Sequence, residues 1–200
     1  YETMLLLSWL IMIVSILTTR KLQLMTTFGL IMSGFMLLVS HLGEMDPSIT
    51  PRMPVLNSPL LSIHVSIIMM SYALLSLTFI SAIAYFFTRN SKRESVISVN
   101  KQLTDLSQIF LYPAITTLGL GIFIGAIWAN ISWGTYWGWD PKETWALITF
   151  LIYAIPLHTN SLPALRKPEK YHFFMLLSFL SILMTYFGVN YILGGMHSYA

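Results

Sequence analysis

An all-α membrane helix bundle with about six transmembrane helices is the fold this sequence predicts, and three observations predict it. Charged side chains make up only 10% of the 200 residues and hydrophobic ones 56%, whereas soluble domains carry about 25% charge. The apolar residues gather into six runs, and a bilayer core needs roughly 20 such residues per helical span. None of the runs alternates apolar with polar residues, as a membrane barrel strand would.

The first run, Met4 to Leu17, is short for a span, and the second extends from Leu24 to Leu42. The third, Pro59 to Phe87, is the longest, with Ser58 as N-cap and Pro59 at the first helical position. At 1.5 Å per residue it would be roughly 43 Å long against a hydrocarbon core of roughly 30 Å, so its His64 end can stand at the membrane surface. The fourth run spans Ile109 to Trp128, the fifth Trp145 to Leu157 and the sixth Tyr171 to Leu193. Residues 88–108 and 158–170 read as charged or proline-broken loops. There is no internal repeat, so residues 1–200 form a single membrane domain; opening on Tyr1, it reads as a segment of a longer chain.

Orientation follows from the cations. Arg20, Lys21, Arg89, Lys92, Arg93, Lys101, Arg166, Lys167 and Lys170 fall on one side, and only Arg52 and Lys142 on the other. The positive-inside rule then puts both termini, residues 42–58 and residues 129–145 outside. Eleven basic residues giving a net charge of +3 are too few for a nucleic-acid surface. With no cysteine, the chain has no disulfide framework, thiolate metal site or thiol relay, and it cannot itself attach haem covalently. Histidine is left as the soft metal ligand.

Of the five histidines, His64 and His197 arrive at the outer face. Between them lies an outer loop, 129–145, with Trp133, Tyr136, Trp137, Trp139 and Trp145. Two imidazoles and a bed of flat aromatics suit haem iron and its macrocycle; the same aromatics also suit an interfacial anchoring belt. Asp140-Pro141-Lys142-Glu143 has the pattern of a capping box, which accounts for both acids better than acid–base catalysis does. His158, about 20 Å along the fifth helix from Trp145, reads either as a helix-end residue or as a ligand or relay at membrane depth. His172 is expected to snorkel at the inner boundary and His41 at the outer one.

The run Trp133-Gly-Thr-Tyr-Trp-Gly-Trp-Asp-Pro-Lys-Glu-Thr-Trp-Ala resembles the tryptophan-rich WWD signature of haem-handling proteins that build c-type cytochromes. With Ser62-Ile-His-Val, Ala154-Ile-Pro-Leu-His-Thr and Gly195-Met-His-Ser-Tyr, it is most similar to the CcsA/ResC branch, known as System II. The resemblance covers about residues 50–200; the segment before about residue 45 is poorly matched. It implies that His64 and His197 ligate haem at the outer surface and that His158 holds haem in transit. Trp133, Trp137, Trp139, Asp140 and Trp145 then belong to the signature that cradles it.

The implied activity is haem delivery for thioether attachment to a Cys-x-x-Cys-His segment of apocytochrome c, with haem b as transported substrate. The chain would be a subunit or module of a cytochrome c synthase in a bacterial inner membrane or a plastid thylakoid. A CcsB/ResB-type membrane partner, which carries the family's second intramembrane histidine, apocytochrome c and thiol-reducing proteins are the implied partners. Two alternatives of other classes remain: a membrane electron carrier that keeps its haem, and a solute transporter without haem.

Overall fold

A computed structural model describes residues 2–18, 23–42, 57–159 and 161–193. Among these residues the regular structure is helical throughout. It comprises α1 (Glu2–Leu17), α2 (Gln23–Leu42), α3 (Pro59–Thr88), α4 (Glu94–Trp133), α5 (Pro141–Ala154) and α6 (Pro168–Leu183). Two short 3₁₀ turns, Ile155–His158 and Pro163–Arg166, join α5 to α6, and α6 continues as a π-helix over Met184–Leu193. α2, α3, α4 and α6 with its continuation to Asn190 are each long and apolar enough to cross a membrane. The chain is an integral membrane protein.

Side-chain hydrogen bonds give the packing. α1 and α2 are antiparallel: the Ser8 hydroxyl donates to the Ser33 carbonyl (2.9 Å), and, farther along, Thr26 donates to the Ser15 carbonyl (3.2 Å). α3 and α4 are antiparallel too, with the Ser71 hydroxyl donating to the Ala114 carbonyl at 2.8 Å. Small hydroxylated residues permit this close approach in lipid, where burying apolar surface gives little drive to associate. α3 is the central helix; Ala73, Leu75 and Leu77 are fully buried among α1, α2, α4 and α6. Phe79 of α3 stacks on Phe179 of α6 with ring centroids 4.1 Å apart. α5 runs antiparallel to the π segment, where the Thr149 and Thr185 hydroxyls are 3.0 Å apart.

A helix recurs at each of the six expected runs, with shifted limits, and four of the six are long and apolar enough to cross a membrane. Ser58 is the N-cap of α3 and Pro59 its first residue, although the Ser58 hydroxyl makes no capping bond. The turn expected at Arg20 and Lys21 lies outside the described residues.

Three expectations are corrected. The inner loop expected at 88–108 is mostly helix, because α4 begins at Glu94. Polar residues give 94–108 a loop-like composition, but Val99, Leu103, Leu106 and Phe110 recur at helical spacing and pack inward. The 40-residue α4 is therefore about 60 Å long, with Pro113 inside it. The outer loop expected at 129–145 shrinks to 134–140, because α4 runs on to Trp133 and α5 begins at Pro141.

His172 is the third. It does not snorkel: it is fully buried, stacked on Tyr85 at 4.4 Å, with Nε2 3.0 Å from the Thr104 hydroxyl. α4, extended past the expected loop, covers it.

Candidate functional site

One end of the bundle gathers the N-termini of α1, α3 and α5 with the C-termini of α4 and the π segment. A cavity of about 170 Å³ opens there, lined by His64, Trp128, Trp137, Lys142, Tyr186 and Asn190 among others. These six residues come from α3, α4, the 134–140 connection, α5 and the π segment, so the site exists only in the folded bundle.

His64 is held by a glycine pair on α4. Its Nδ1 lies 2.7 Å from the Gly121 carbonyl oxygen. A carbonyl can only accept, so Nδ1 carries the proton, and in the neutral form of the ring the lone pair lies on Nε2. The ring fits because residue 125 has no side chain: a Cβ there would stand 2.6 Å from His64 Cε1 and 2.8 Å from Nδ1. Nδ1–H donating to a backbone carbonyl is the arrangement that orients histidines for metal ligation through Nε2.

The aromatic connection is built to stay rigid. α4 ends where Gly134 takes φ of 78° and donates its N–H to the Asn130 carbonyl at 2.9 Å. Trp139 has φ of 56°, a left-handed conformation that is strained for a bulky residue. The Glu143 carboxylate holds it there: Oε2 accepts from the N–H groups of Gly138 (2.9 Å) and Asp140 (3.2 Å), on either side of Trp139. Asp140 is buried and its Oδ2 accepts from the Lys142 N–H at 3.0 Å, completing the capping box expected from the sequence.

The tryptophans divide by role. Trp137 lines the cavity, and its buried Nε1–H has no hydrogen-bond partner among the described residues. Trp139, 71% exposed, meets Trp137 edge-on with ring centroids 5.9 Å apart. Trp133 meets the buried Trp128 edge-on at 4.8 Å. Trp145 stands outside the cavity wall, its carbonyl accepting from the Thr185 hydroxyl at 3.2 Å.

The structure therefore brings His64, Trp137 and Trp139 together, with Asp140 as their anchor. His158 lies elsewhere: α5 and its 3₁₀ extension carry it about 29 Å from Pro141, to the other end of the bundle, where its side chain is exposed. His197 lies outside the described residues.

Sequence reasoning missed Lys142, Trp128, Gly125, Tyr186 and Asn190 as parts of the site. Lys142 had a signal, since it was one of two cations on the side otherwise free of them. Burial pulls its ammonium below the usual lysine value, and the Asp140 carboxylate offsets part of this. Its Nζ donates to Asn190 Oδ1 at 2.9 Å. Asn190 and Tyr186 had none, because their placement depends on the i→i+5 winding of the π segment, a geometry often found at functional sites.

Comparison with known proteins identifies the family. The family model described as cytochrome c assembly protein matches residues 1–197. The chain belongs to the cytochrome c assembly protein family. The match begins at residue 1, which corrects the expectation that kinship is poor before about residue 45.

Among relatives of this cytochrome c assembly protein, NrfI of Wolinella succinogenes is 42% identical over 207 residues, covering 100% of this chain and 22% of NrfI. CcsA of Mesostigma viride, a cytochrome c biogenesis protein, is 32% identical over 234 residues, covering 100% of the chain and 75% of that protein. CcsA of Cyanophora paradoxa is 34% identical over 196 residues, 76% of the chain and 61% of its own length. The chain thus spans 22% of NrfI and the larger part of these two CcsA proteins. Its role lies in the maturation of c-type cytochromes.

Proposed function

We propose that the chain receives haem b as transported substrate and presents it at the aromatic end of the bundle. There it is attached through thioether bonds to the Cys-x-x-Cys-His segment of apocytochrome c. The observation that carries this reading is an imidazole held in the ligand tautomer on the wall of a tryptophan-lined cavity. Roughly 300–1,000 Å³ is usual for a pocket that encloses a drug-sized ligand. At about 170 Å³ the cavity takes one edge of a macrocycle, leaving the rest against the exposed Trp139.

His64 Nε2 supplies one axial ligand. His197 is the proposed second; it follows Asn190 of the cavity wall by seven residues, which limits its separation to about 25 Å of extended chain. The chain has no nucleophile for the attachment, so the thiols come from the partner. What this protein contributes is position: a fixed imidazole, a rigid aromatic connection and a site from which one axial bond can be given up to the incoming histidine. His158, exposed at the opposite end, is available to a CcsB/ResB-type membrane partner for haem in transit. The excess of cations at that end supports an orientation with the aromatic connection outside. Thiol-reducing proteins complete the proposed set by keeping the acceptor cysteines free.

The test is the absorption spectrum of the detergent-purified protein from haem-replete cells. A Soret band is expected, lost in the His64→Ala plus His197→Ala double variant and regained with added imidazole. A colourless wild-type protein, or a band indifferent to both substitutions, overturns the assignment.

A further inference from the structure

We infer that Lys142 and Trp137 form a carboxylate subsite in the cavity, which receives a propionate of the haem that His64 ligates. The inference rests on the haem reading and adds to it a contact that fixes which edge of the macrocycle enters.

Four observations carry it. First, Lys142 is the cation on the cavity wall, and the acceptor its ammonium has among the described residues is the neutral Asn190 Oδ1; an ammonium has three donors to place. Second, the Trp137 Nε1–H is buried on the same wall without an acceptor. A buried donor left unmade is costly, so an arriving acceptor is favoured there. Third, the two nearby acids each hold backbone with one oxygen: Glu143, itself on the cavity wall, accepts at Oε2 from the Gly138 and Asp140 N–H groups, and Asp140 at Oδ2 from the Lys142 N–H. Neither acid accepts from the Trp137 indole. Fourth, the cavity is too small for a whole macrocycle but has room for a short acid side chain, and it is walled on another side by His64. A ligand reaching Lys142 with a carboxylate therefore keeps its ring system near the imidazole.

Charge and hydrogen-bond count both favour a carboxylate over a neutral group. The ammonium and the indole N–H are both donors on the wall of one cavity, and a carboxylate offers two acceptor oxygens and a charge that adds to the partial compensation from Asp140.

The experiment titrates the full chain, in detergent, with iron protoporphyrin IX and separately with its dimethyl ester, following the Soret band. The wild type is expected to bind the diacid about tenfold more tightly than the ester, the size of one charge-assisted hydrogen-bonded contact. Lys142→Met is expected to abolish that preference, Lys142→Arg to retain it and Trp137→Phe to reduce it. The ratio between two ligands on the same protein preparation is insensitive to a fraction of misfolded material. Equal affinity for diacid and ester in the wild type, or a preference that survives Lys142→Met, overturns the subsite while leaving haem binding intact. A wild type that binds neither ligand overturns the haem reading and the subsite with it.

Discussion

The imidazole of His64 occupies the space that a side chain on Gly125 would fill. Gly125 sits one turn beyond Gly121, whose carbonyl accepts the Nδ1 proton, so one helical face both makes room for the ring and fixes its tautomer. A methyl group at 125 must push the ring off that carbonyl.

Gly125→Ala is therefore expected to weaken haem binding at least tenfold, through loss of one oriented second contact to a ligand histidine. The overpacking itself should lower stability by about 1–3 kcal/mol. Soret titration and thermal melting in detergent measure the two effects. Unchanged affinity would mean that His64 does not ligate from this position.

Glu143 is expected to matter for shape and not for proton transfer. Glu143→Ala frees the N–H groups of Gly138 and Asp140 and should cost about 1–2 kcal/mol. Trp139→Gly, which relieves the positive φ, should recover about 1 kcal/mol in that background. Melting curves of the single and double variants provide the check. If Glu143 were a general base, Glu143→Gln would abolish cytochrome maturation without altering the melt.

His172 offers a contrast between a structural and a ligating imidazole. Replacement by Ala should destabilise the protein by about 2–4 kcal/mol, from lost packing against Tyr85 and the lost bond to Thr104. The Soret maximum of the protein that folds should be unmoved. A shifted band would make His172 an iron ligand.

Orientation is open to a clean measurement because the chain has no cysteine. Tyr136→Cys, at an exposed position of the aromatic connection, should react with an impermeant maleimide added to the outside of intact cells, and Lys101→Cys only after lysis. The opposite pattern would reverse the assignment drawn from the charge asymmetry.

How far the sequence discloses such a structure depends on the range of the interactions concerned. Helix number, the start of α3 and the Asp140–Glu143 cap follow from composition and from residues three or four apart, and they recur in the structure, where four of the six helices are long and apolar enough to cross a membrane. His64 and Trp137 were legible as site residues because chemistry sets them apart from an apolar background. Gly125 was not, since its importance lies in an atom it lacks and in a helix 60 residues away. His172 was misread because its burial comes from α4, whose first turns are polar enough to pass for a loop. Asn190 depends on a change of helical winding for which local propensity has no mark.

The uninterrupted course of α4 has a mechanical consequence. A rod of about 60 Å joins the cation-rich end at Glu94 to the tryptophans at 128 and 133, with Pro113 as the one interior proline on the way. A torque applied by a neighbour to the polar first turns would thus be delivered at the indole platform, softened mainly at that residue. Stiffening the proline step would tighten the mechanical link between the two faces of the bilayer.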